Sequence, residues 1–71
     1  MRNPDRIPPL AEEFAKIWKA KFPDWRFFQL MENFLGYVYE QAKFDPFFIE
    51  DDQVIKWLKK FAGDAGVEEE D

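Results

Sequence analysis

Apolar and polar positions repeat with the period of an α-helix in three stretches of this chain, and no stretch alternates as a strand would. In the first, Leu10, Phe14, Ile17 and Trp18 fall at helical spacing, with Glu12, Glu13, Lys16 and Lys19 on the other side. Proline suits a first helical turn, whose amides lack intrahelical partners, so Pro8 and Pro9 predict a helix from about Pro9 to Ala20. Pro23 ends it by pushing the preceding residue out of helical backbone.

The second stretch runs from Asp24, a suitable N-cap, to Lys43. Phe27, Leu30, Met31, Phe34 and Val38 make one apolar stripe, and Phe28, Leu35 and Tyr39 make a second beside it. Only Gln29, Asn33, Gly36 and Glu40 form a polar strip, so about half the circumference is apolar, more than the roughly 100° stripe of a half-buried helix. Such a helix either lies at the centre of the fold or keeps a flank for a partner. Gly36 costs about 1 kcal/mol against Ala, which close approach by another backbone would explain.

Asp45-Pro46 signals a turn, and Phe47 and Phe48 after it are placed to tuck under the bundle. Glu50, Asp51 and Asp52 then put negative charge at the start of a third helix, with Asp51 as the N-cap and Gly63 as the stop. Val54, Ile55, Leu58, Phe61 and Ala62 make its inner face, and Lys59 and Lys60 favour its last turn. The prediction is an all-α, compact three-helix bundle over residues 1–63, helix 2 central, with a disordered acidic C-terminal tail over 64–71.

At 71 residues the chain makes one domain, of a size at which a single core stabilises only marginally. Nine Phe, three Trp and two Tyr must supply that core, because no Cys or His is present to build a disulfide or a zinc site. The first ten residues hold no continuous apolar stretch and no signal-type cleavage site, and no segment is long and apolar enough to span a bilayer. A soluble cytoplasmic protein without a membrane role is expected. Net charge is −5, with residues 1–43 at +1 and residues 44–71 at −6, so direct nucleic-acid binding is not expected.

Ser, Thr, Cys and His are all absent, which removes the nucleophile–base pairs of acyl transfer and the commonest proton-transfer side chain. No catalytic residue, cofactor or enzymatic activity is expected. Glu50, Asp51 and Asp52 lack the alternating spacing and central glycine of a calcium loop, so capping and solvation explain them without a metal. What remains is recognition. Trp, Tyr and Arg dominate interface hot spots, so the candidate partner-binding residues are Trp25, Arg26, Phe28, Glu32, Leu35 and Tyr39 on helix 2 and its approach. Phe47, Phe48, Glu50, Asp51 and Asp52 extend the set into the loop. Against this stands the plainer alternative that Phe28, Leu35 and Tyr39 are core under helix 1 or helix 3.

Together RNPDRI, Trp18, PDWRFFQL and FDPFFIEDD resemble segments of small bacterial and prophage-borne proteins. Those proteins begin R-D-P-x-R-I, carry P-D-x-R-x-x-Q-L, and place F-Y-x-E-D-D before a last helix. The matching residues are Arg2, Pro4, Arg6, Ile7, Pro23, Asp24, Arg26, Gln29, Leu30, Phe47, Phe48, Glu50, Asp51 and Asp52. Asn3 stands where that pattern has an acid, and Phe28 where the resemblance leads one to expect a small residue. The resemblance implies a helical fold and a bacterial or phage setting, with no assigned activity. Three expectations follow: a stoichiometric protein-binding module using the aromatic helix 2 face, an acidic anti-CRISPR-like inhibitor blocking a basic groove, or a structural homodimer.

Overall fold

Proline and short polar caps set the helix boundaries. In the computed structural model, which describes residues 2–65, Asn3 opens a 3₁₀ turn over Pro4–Arg6, its side chain accepting from the Asp5 amide at 3.0 Å. Helix α1 follows directly over Ile7–Lys21, two residues earlier than predicted, because both Pro8 and Pro9 fit the first turn. Phe22 and Pro23 stop it. Helix α2 covers Phe27–Ala42 and starts later than predicted, with Asp24 in the preceding turn and Arg26 at the N-cap. The cause is packing. Trp18 Nε1 donates to the Trp25 carbonyl at 3.1 Å and the Trp25 ring packs tilted against Phe22 at 4.7 Å, which commits this segment to a turn. The Gln29 side chain then accepts the Arg26 amide, one half of a capping box.

Lys43 closes α2 in left-handed backbone at φ 61°, donating its amide to the Tyr39 carbonyl. Asp45 caps a second 3₁₀ turn over Pro46–Phe48, and α3 runs over Asp51–Ala65. Asp51 is thus the first helical residue rather than the cap. Gly63 does not end α3 either; its φ is not positive, and the helix continues two residues beyond it. Residues 64 and 65 of the predicted tail belong to α3, and the rest of that tail lies outside the described residues.

Helix α3, not α2, is central. It packs against both other helices, whereas among the described residues α1 and α2 do not approach each other closely. Along α1 and α3, Arg6 meets Asp51, Leu10 shares a hollow with Ile55, and Ile17 shares one with Ala62, so these two helices run parallel. The reason is Phe61. Its buried ring lies 5.1 Å from Phe22, 5.6 Å from Phe34, 5.2 Å from Tyr37 and 6.3 Å from Trp25, gathering the α1–α2 turn and the face of α2 onto α3. Leu30, Val38, Leu58 and Ala62 complete the buried core with Phe22, Phe34 and Phe61. α1 contributes no fully buried residue, only the partly buried Phe14, Ile17 and Trp18.

Phe61→Ala is expected to cost about 3–5 kcal/mol in denaturant unfolding, a large share of the stability of so small a domain. Gly36 has no compensating neighbour, since a Cβ there would meet nothing within 4 Å. Gly36→Ala is therefore expected to raise stability by roughly 0.5–1 kcal/mol, read as a higher urea midpoint with an unchanged slope.

Candidate functional site

Because α1 and α2 diverge across α3, an apolar groove of about 390 Å³ opens between them. Ile7, Leu10, Ala11 and Phe14 form the α1 wall; Phe27, Met31, Leu35 and Val38 form the α2 wall. Val54 and Trp57 of α3 lie beneath with Phe34, and Pro46 and Ile49 line it from the second 3₁₀ turn. Trp18 bridges the walls near the α1–α2 turn, its ring 6.0 Å from Phe14 and 5.9 Å from Phe27. Among the described residues, no charged side chain lines the groove. It can hold apolar side chains and has no means to orient a polar substrate.

Beside the α2 wall lies the second apolar stripe read from the sequence. Phe28 is 80% exposed, Tyr39 58% and Leu35 46%, so neither α1 nor α3 covers them, and the core alternative for these residues does not hold. Phe28 leans its edge on Phe27 at 5.2 Å. Glu32, also exposed, is one helical turn from Phe28 and from Leu35. These residues form a crest along α2. Leu35 belongs to both crest and groove.

The other predicted residues lie elsewhere. Trp25 packs inward against Phe22 and Phe61, and Arg26 is exposed at the start of α2. Phe47 and Phe48 are not tucked under the bundle: they stand 82% and 68% exposed, edge to face at 5.0 Å, while Pro46 and Ile49 turn toward the groove instead. The two rings share a hollow with Arg2, Arg6, Glu50 and Asp51. There Glu50 accepts from Arg2 Nε at 3.1 Å and from Nη2 at 2.9 Å, and Asp51 pairs with Arg6 Nε. The Glu50 hydrogen bond pushes the Arg2 guanidinium further above its usual range. Asp52 is exposed beside the start of α1. Two of the three acids proposed for a basic groove are therefore already occupied by this chain's own arginines.

Sequence reasoning missed the α1 wall and Met31 as site residues. Periodicity assigns Leu10, Phe14 and Met31 to core faces, and a groove wall has the same periodicity as a core, while Ile7 lies ahead of the predicted helix and Ala11 on no predicted face. Among the described residues, no three acids gather closely enough to hold a metal ion, and no helix is long and apolar enough to cross a membrane. No protein-family model, curated protein or solved structure matches the chain.

Away from the groove, the Tyr37 hydroxyl donates to Asp64 Oδ2 and ties α2 to the end of α3. That hydrogen bond, then burial and the Asp64 charge, push the Tyr37 phenol up to about 12. A raised pKa means that this link stabilises fully below the ordinary phenol range near 10 and is lost as pH rises toward about 12. Alkaline unfolding followed by circular dichroism should show that loss in the parent chain, and Tyr37→Phe should flatten it. Equal alkaline slopes in the two proteins would show that the link carries no stability.

Proposed function

We propose that this chain is a small non-catalytic protein-binding module of bacterial or phage origin, acting stoichiometrically in the cytoplasm through the α1–α2 groove and the adjoining α2 crest. The observation that carries this reading is the continuity of the two. From the Phe34 line inward to the Tyr39 line outward, α2 presents core, groove wall and exposed crest without a polar break, and Glu32 stands at the outer edge. An apolar groove between two helices with a third beneath suits the inserted apolar face of another helix. Burial of large side chains supplies the affinity, each contributing roughly 1.5–3 kcal/mol before ordering costs.

An apolar surface of this extent on a monomer favours association. The inhibitor reading has weaker support. Its acids at Glu50 and Asp51 are paired with Arg2 and Arg6, and among the described residues Asp52 is the member of the trio without an ion pair.

The test pairs Phe28→Ala with Tyr39→Ala. Both side chains are exposed, so circular dichroism should report an unchanged helical content, while capture of the bound protein from the native host should fall by at least about tenfold. Retained capture would reject the crest as the binding surface. Steep weakening of capture by added salt would transfer the function to the acids.

A further inference from the structure

Resting on that reading of the groove and crest, we propose that their occupant is a second copy of this chain, in a twofold dimer where the α2 crest of each protomer enters the groove of the other. A twofold interface must be self-complementary, with projection and recess on the same patch. Here they are adjacent. Phe28 and Tyr39 project from one flank of α2, and the recess of about 390 Å³ begins on its other flank, with Leu35 shared between them.

A single foreign helix laid in the groove would cover Met31 and Leu35 and leave Phe28 and Tyr39 in water, since they lie beyond the wall. A second copy whose own groove receives the crest would cover all four. Given 150–250 Å² for a whole aromatic side chain, the exposed parts of Phe27, Phe28, Tyr39, Ile7 and Leu35 offer roughly 500 Å² per copy. That is most of the about 800 Å² that each partner contributes to a standard interface, and the groove floor adds to it. Small domains without disulfides or metals commonly gain stability by oligomerising, and α1, with no fully buried residue, stands to gain most.

Charge opposes the dimer and supplies a control. Each chain carries −5, and Glu32 sits within the crest that the dimer would cover. Salt should therefore tighten this association by screening, the opposite of its effect on an acidic surface docked to a basic one.

Sedimentation equilibrium of the full chain from micromolar to millimolar concentration tests the proposal. The expected result is a mass twice that of one chain which falls on dilution, a dimer Kd raised about tenfold or more by Phe28→Ala, and a Kd lowered by Glu32→Gln. The paired substitutions guard against misfolding, because they move the Kd in opposite directions. A monomer at every concentration, a dimer indifferent to both substitutions, or open-ended assemblies would overturn the proposal. If the chain is monomeric yet Phe28→Ala with Tyr39→Ala abolishes capture of a foreign protein, the second copy is excluded and the binding surface stands. If capture is also indifferent, both readings fail.

Discussion

The stack of rings around Phe61 fixes the arrangement of everything else. Phe22 and Trp25 come from the α1–α2 turn, Phe34 and Tyr37 from α2, and all four meet one buried side chain on the C-terminal half of α3. Once those contacts form, α1 and α2 are each tethered to α3, and among the described residues their backbones stay apart while Trp18 reaches Phe27 near the turn. They separate over the N-terminal half of α3, where Val54 and Trp57 are left beneath an open groove. The site is thus a by-product of where the aromatic hub lies.

At the opposite end from Phe61, polar contacts do the positioning. Arg2 and Arg6 reach Glu50 and Asp51, holding the first 3₁₀ turn against the start of α3. The Arg2–Glu50 pair is largely exposed, so its contribution to stability is small, while the Arg6–Asp51 pair, about one-third exposed, joins the start of α1 to the start of α3. Asn3 caps that 3₁₀ turn, its amide oxygen accepting the Asp5 amide.

The broad apolar arc of α2 has three destinations. Leu30, Phe34 and Val38 enter the core, Phe27 and Met31 line the groove, and Phe28, Leu35 and Tyr39 stand on the crest. In a domain this small, the exposed share is apolar surface that the fold itself leaves uncovered. Phe28 matters most here. At 80% it is more exposed than Tyr39 or Leu35 beside it.

Helical period, proline punctuation and the absence of a strand pattern were enough to place three helices and to name most of the inner-face residues, Phe61 among them. The surplus apolar flank was also legible, because amphipathic width can be counted along the chain. Periodicity reports only that a side chain avoids water, however, and a core face, a groove wall and an uncovered crest all have the same period. Which helix is central depended on ring contacts between segments far apart in sequence, and these moved the centre from α2 to α3. The start of α2 shifted for the same reason, as Trp25 was recruited to Phe22 and Phe61. The acids of Glu50 and Asp51 looked free until tertiary structure brought Arg2 and Arg6 beside them, since a charge partner 48 or 45 residues away leaves no local signal.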